Sequence, residues 1–154
     1  MQQKTHVVIH HSLTPDDQTV SWEAIRNYHM KTLGWSAIGY HAGIENINGY
    51  HEILMGRPMD AVGAHCLELN KTGIGICAVG NYDLIPPSSD LLKQLKILCL
   101  WLMDIYKIPV VNVVGHGEVQ KAVGLPLNLV KTCPGKFFDL DAFRKSLANG
   151  NPYA

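Results

Sequence analysis

The stretch Thr5-His6-Val7-Val8-Ile9-His10 decides the fold. It is short and rich in β-branched residues, so it reads as a strand, and the polar segment Ser12 to Asp17 reads as the turn after it. Working outward, Ser21 can cap a helix from about Trp22 to Leu33, with Trp22, Ile25, Tyr28 and His29 on one face and Gly34 as its stop. Tyr40 to Ile44 reads as a strand, Asn48-Gly49 as a turn, and a further strand runs through about Leu54. Ile74 to Val79 reads as a buried strand between glycines. Ser88 or Ser89 caps the longest helix, about Asp90 to Tyr106, with Leu91, Leu95, Leu98, Leu102 and Ile105 as its core stripe. Val110 to Val114 reads as another apolar strand that stops at Gly115-His116-Gly117. A short helix is expected from Glu118 and a last one from Asp139 to Leu147. Strands alternating with helices predict a single α/β domain with a central mixed β-sheet flanked by helices.

The 154 residues suit one domain, expected over residues 1–154 with a core at about 5–148. Apolar residues make up 47% and charged residues 17%, enough for a packed core and too apolar for a disordered chain. The formal net charge is zero and the pI about 7.1, without the basic excess that a nucleic-acid binder uses to neutralise phosphates. No apolar run reaches the roughly 18 residues that would cross a bilayer, so no membrane insertion is expected. Met1 to His6 lacks the apolar stretch of a secretory signal, which places synthesis in the cytosol. There Cys66, Cys77, Cys99 and Cys133 should be thiols, buried or metal-bound, and the Asn70-Lys71-Thr72 sequon is read as chance. A monomer is expected.

Metal-competent residues stand at the ends of apolar strands: His10 and His11 close the first, His116 the last. Strand ends that feed loops are where a rigid sheet presents catalytic groups. Cys133 follows in Lys131-Thr132-Cys133-Pro134-Gly135; the proline favours an extended Cys133, which would aim Lys131 at the same site. Two imidazoles and a thiolate suit zinc, whose catalytic sites use three protein ligands and leave a position for water. On spacing alone this signal is weak. Eight histidines and four cysteines offer many false triplets, and any one histidine is by default hydrogen-bonded or on the surface. His6, His29 and His51 keep that default. There is no His-Glu-x-x-His pair and no Gly-x-Ser-x-Gly elbow, and Gly73-x-Gly75 has Ala78 where a dinucleotide fingerprint needs glycine.

A set of ordered motifs goes further. Val8-Ile9-His10-His11-Ser12, Gly34-Trp35 with Ile38-Gly39-Tyr40-His41, Gly56-Arg57, Ala61-Val62-Gly63-Ala64-His65, Gly73-Ile74-Gly75-Ile76, Gly115-His116-Gly117-Glu118-Val119 and Lys131-Thr132-Cys133-Pro134-Gly135 occur in that order. Together, from His6 to about Leu140, they resemble the zinc-dependent N-acetylmuramoyl-L-alanine amidases, a family that includes phage lysozyme-amidases and the peptidoglycan recognition proteins. The resemblance implies a peptidoglycan-recognition-protein-like fold and one zinc per chain held by His10, His116 and Cys133. It implies Tyr40 and Lys131 as the catalytic partners, and peptidoglycan as the substrate. His11 neighbours His10 but points to the opposite face of the strand, so His10 takes the ligand role. His65 matches a histidine near the substrate groove of relatives, for which a substrate contact and a packing role both stand open.

Three departures qualify the match. Many members carry Arg-Asp where this chain has Gly117-Glu118. The stretch from His116 to Cys133 is long for a phage enzyme, which predicts an extra helix-and-loop segment over Gln120 to Leu129. The branch that recycles wall fragments carries a glutamate where this chain has Cys77, so the phage-type chemistry of Tyr40 and Lys131 is expected. The other cysteines, Cys66, Cys77 and Cys99, are read as core. The runner-up function is a binding module of the same fold that holds peptidoglycan without cutting it, but such relatives characteristically lack the zinc cysteine. A structural zinc domain or a regulator of a protein partner is the third reading. The resemblance to phage enzymes implies a prophage or phage endolysin, which would collect in the host cytosol and act on the wall after release.

Overall fold

The computed structural model describes residues 3–14 and 21–150. The deciding stretch forms strand β1, His6–His11, one residue later than the sequence suggests at each end. It is joined by β2 (Ala42–Ile47), β3 (Tyr50–Met55), β4 (Gly73–Ala78) and β5 (Val113–Gly115) in the order β3-β2-β4-β1-β5. β1 runs parallel to β4 and β5, β2 runs parallel to β4, and only β2 and β3 pair antiparallel, so the sheet is mixed as expected. Asn48 and Gly49 both hold positive φ, 54° and 92°, between the paired Ile47 and Tyr50. That is the two-residue hairpin geometry whose twist matches the strands.

Four helices cover the sheet: α1 (Trp22–Asn27), α2 (Ser89–Tyr106), α3 (His116–Ala122) and α4 (Leu140–Ala148). The Ser21, Ser88 and Asp139 side chains accept the Ala24, Leu91 and Ala142 N–H groups at the starts of α1, α2 and α4. Strand alternation sorts the residues of the sheet. Val7, Ile9, Ile44, Ile74, Ile76 and Val113 pack with Leu91, Leu95 and Leu102 of α2 and Phe143 and Leu147 of α4 in the main core. Each such side chain contributes about 1.5–3 kcal/mol by leaving water. The opposite face of the sheet carries Val8 with Val119 of α3, Cys77 with Trp22 of α1, and, between them, His10.

Several expectations need correction. Tyr40 precedes β2 rather than opening it. Only the first half of the Trp22–Leu33 helix is α; Tyr28–Thr32 forms a π turn, with Leu33 N–H bonded to Tyr28 C=O. The wider turn takes Tyr28 off the buried face, leaving it 55% exposed. Ile105 likewise lies outside the core stripe of α2 and is half exposed. Val110–Asn112 is a 3-10 turn, not a strand: the Asn112 N–H bonds to Pro109 C=O and its side chain to Thr5 C=O, so only Val113–Gly115 pair with β1. α3 starts at His116 rather than Glu118. The expected segment over Gln120 to Leu129 consists of the end of α3 and a 3-10 turn at Leu127–Leu129. The Ser12 to Asp17 turn lies partly outside the described residues. Among the described residues no helix is long and apolar enough to cross a membrane.

Candidate active site

The C-terminal ends of β1, β4 and β5 meet on the α1/α3 face, and there the sheet presents His10, Cys77 and His116. Cys133 arrives from the far side on the loop after Leu129. That loop is held by its backbone: Gly117 N–H donates to Cys133 C=O at 2.9 Å and Lys131 N–H to the Gln120 side chain at 2.8 Å. The Asp83 carboxylate accepts from the Thr132 hydroxyl and the Lys136 N–H, both at 2.8 Å. The approach is so close at Gly117 that a Cβ there would lie 2.3 Å from Lys131 O. This accounts for glycine after His116. The neighbouring Glu118 caps α3 through Gly115 N–H at 2.9 Å and takes both guanidinium nitrogens of Arg144 at 2.9 and 3.0 Å.

One ligand atom from each of His10, His116 and Cys133 can be chosen such that all three lie within 4.8 Å of one another, and all three residues are buried. His10 Nδ1 is 3.6 Å from Cys133 Sγ, and the two imidazole rings are 4.8 Å apart between centroids. A tetrahedral zinc with bonds of about 2.0 Å to nitrogen and about 2.3 Å to sulfur separates an N and an S ligand by roughly 3.5 Å. The donor set and its spacing therefore fit that ion. Burial holds the His10 imidazole well below its ordinary pKa, helped by His65, His116 and Lys131, and holds His116 down to about 4, with Lys131 adding and Glu68 opposing. Both rings are uncharged at neutral pH. Burial pushes the Cys133 thiol up to about 12, so it is protonated until a cation displaces the proton.

The remaining expected residues are distributed around this cluster. The Tyr40 ring lies 5.2 Å from His10 and packs against Cys77. Burial, then Cys77 and Cys133, raise the phenol well above its usual range, so it is a donor. Lys131 is exposed, yet its charge reaches His10, His116 and Cys133. His65 Nδ1 is 3.0 Å from His10 Nε2, and its Nε2 is buried. His11 faces the other layer and accepts the Tyr82 N–H. All four cysteines are free thiols and buried. The contact of Cys77 with Tyr40 was not legible in the sequence, where only its strand register with His10 could have signalled it.

A mixed sheet with a buried His-His-Cys cluster at the carboxyl ends of its parallel strands defines an α/β domain with a candidate metal centre. The chain belongs to the N-acetylmuramoyl-L-alanine amidase family Amidase_2, whose model matches residues 1–136. It is 29% identical over 122 residues to peptidoglycan-recognition protein LB of Drosophila melanogaster, covering 75% of this chain and 51% of that protein. It is 38% identical over 82 residues to the endolysin of Klebsiella phage KP32, covering 53% of this chain and 52% of that one. The chain thus spans about half the length of these curated relatives. Among solved structures it is similar to the endolysin N-acetylmuramoyl-L-alanine amidase LysCS of Clostridium intestinale, with 28% identity, a TM-score of 0.78, and coverage of 96% of this chain and 85% of that one.

Proposed function

We propose that this chain, as one catalytic domain, hydrolyses the amide bond between N-acetylmuramic acid and L-alanine in bacterial peptidoglycan, with one zinc ion held by His10, His116 and Cys133, and that it acts as a phage or prophage endolysin. The observation that carries this reading is the convergence of three buried donors, spaced for zinc, in a member of the amidase family. Zinc in such a site polarises a carbonyl and lowers the pKa of water from about 16 toward about 7.

The chain's own residues supply the rest. Lys131, on the exposed rim, is the group free to donate to the carbonyl oxygen as it gains negative charge. Tyr40, whose ring packs beside Cys77, offers a second donor to the same oxygen. The proton for the departing alanine amine comes from one of these two groups. Ser12, Thr14, Ala24, Ile25, Tyr28 and His29 line a cavity of about 410 Å³, and the His29 ring lies 5.8 Å from Tyr40.

Mass analysis of peptidoglycan digested by the purified chain tests the reading. Peptide stems with free L-alanine N-termini, whose release stops with a chelator and resumes with zinc, are expected. Binding to wall material without any released stem would replace the hydrolase with a binding module; new glycan ends would assign a different bond.

A further inference from the structure

Both ring nitrogens of His10 are spoken for. Nδ1 lies 3.6 Å from Cys133 Sγ, within the donor cluster, while Nε2 lies 3.0 Å from Nδ1 of His65. A neutral imidazole has one donor and one acceptor nitrogen. If a cation takes the Nδ1 lone pair, the His10 proton must sit on Nε2, and His65 Nδ1 must accept it. We propose that His65 is a positioning residue: it fixes the tautomer and ring plane of His10 so that Nδ1 faces the metal. This rests on the metal-site reading given above.

The surroundings of His65 are built to hold that ring. It stands in a slot walled by two glycines. A Cβ on Gly75 would come 2.5 Å from its Cγ and 2.7 Å from its Nδ1, and a Cβ on Gly63 would come 2.5 Å from its Cδ2. Gly75 lies on the same face of β4 as Cys77, which is the register partner of His10, so slot and ligand share one face of the sheet. The backbone of the loop is pinned on both sides. Asn70 Oδ1 accepts the His65 and Cys66 N–H groups at 2.8 and 2.9 Å, and Ala64 N–H donates to Gly39 C=O at 2.9 Å. Further back, Ala61 C=O accepts from Lys4 Nζ at 2.7 Å and His41 Nε2 at 2.9 Å.

The His65 Nδ1 is committed to His10 Nε2, and its Nε2 is buried. The next imidazole, His41, bonds instead to Ala61 C=O and Gly75 N–H, so it is His65 that reaches His10. Partners that orient a metal-bound imidazole through its second nitrogen are a general feature of metal sites.

The test is zinc affinity of the full chain, measured by competition with a chromogenic chelator, for the parent, His65→Ala, His65→Asn and Cys133→Ala. His65→Ala is expected to weaken zinc binding about 10- to 100-fold with an unchanged circular dichroism spectrum. His65→Asn, whose Oδ1 falls near the place of Nδ1 and can accept, is expected to restore most of it. Nitrogen-15 NMR of the zinc-loaded parent should place the His10 proton on Nε2, a readout that survives if His65→Ala does not fold. Unchanged zinc affinity in His65→Ala, or a His10 proton on Nδ1, overturns the proposal. If Cys133→Ala also keeps full affinity, the metal site itself is wrong; if Cys133→Ala loses zinc and His65→Ala does not, only the positioning role fails.

Discussion

His10 and His11 are neighbours in the chain, lie at the same end of β1, and are exposed by only 2% and 6%. They nevertheless belong to different halves of the molecule. His10 faces the α1/α3 layer, among His65, His116, Tyr40 and Cys133. His11 faces the α2/α4 layer, where its Nδ1 accepts the Tyr82 N–H at 3.2 Å and its ring stacks on Tyr82 at 6.3 Å. Burial lowers both pKa values, but the next influences differ in sign. Around His10 they are groups that carry positive charge when protonated, whereas around His11 it is the Asp83 carboxylate, which opposes burial. Strand alternation alone thus turns one imidazole toward a place that lacks a compensating anion and the other toward a closed set of partners.

The largest expected effects test that division. His10→Ala, His116→Ala or Cys133→Ala should abolish wall hydrolysis and remove bound zinc, while His11→Ala keeps both. Turbidity of a wall suspension and metal analysis of each purified variant read this. Full zinc occupancy in Cys133→Ala would defeat the ligand set. Next come Lys131→Ala and Tyr40→Phe, which should keep zinc but turn over about 100- to 1000-fold more slowly, the usual loss of one donor to a developing oxyanion. Steady-state kinetics should place this loss in kcat; a rise in KM alone would make them binding residues.

The parts of this arrangement that follow local rules were legible in the sequence. The β-branched run of β1, the Asn48-Gly49 hairpin and the Ser21, Ser88 and Asp139 starts of helices each depend on a few adjacent residues. The errors came where contacts from afar decide. Val110–Val114 has strand composition, but Asn112 is drawn to the Thr5 carbonyl, and the tight turn that results leaves only three residues to pair. Tyr28 has helical spacing, but a π turn shifts it. For the site, the order of motifs nominated His10, His116 and Cys133, and their convergence was beyond any spacing argument, since Cys133 is 123 residues from His10. His65 was left open because its bond to His10 depends on two glycines that clear a slot, which no local pattern encodes.

A smaller effect concerns the buried imidazole one ring beyond His65. His41 is fully buried, and burial holds its pKa down to about 4; the Ala61 carbonyl opposes this, and Lys4 and Arg57 add to it. The His65 ring, also uncharged at neutral pH, packs on its remaining side at 5.5 Å. In the unfolded chain a histidine titrates near 6.5, so between that pH and about 4 the unfolded state binds more protons and stability rises with pH. The contribution is complete above about 6.5 and is lost as pH falls toward 4. A shift of this size is worth about 3 kcal/mol for this one group. Chelator-treated protein should therefore lose denaturant resistance over that window, and His41→Gln should flatten the slope. An unchanged slope in His41→Gln would assign the window to other histidines.

The smallest effect falls on His11 and completes the contrast with His10. Removing its ring takes away the acceptor 3.2 Å from the buried Tyr82 N–H, a loss of about 1–2 kcal/mol. Tyr82 in turn braces the loop that delivers Cys133: its carbonyl accepts the Phe137 N–H at 2.8 Å, and its backbone sits so close to Gly135 that a Cβ there would meet it at 2.5 Å. His11→Ala should therefore shift the urea midpoint by that modest amount while zinc content stays complete, because Cys133 is also held by Gly117 N–H and the Asp83 contacts to Thr132 and Lys136. A variant that lost zinc would mean that His11 reaches the metal through the Tyr82 segment, and the two faces of β1 would then act as one site.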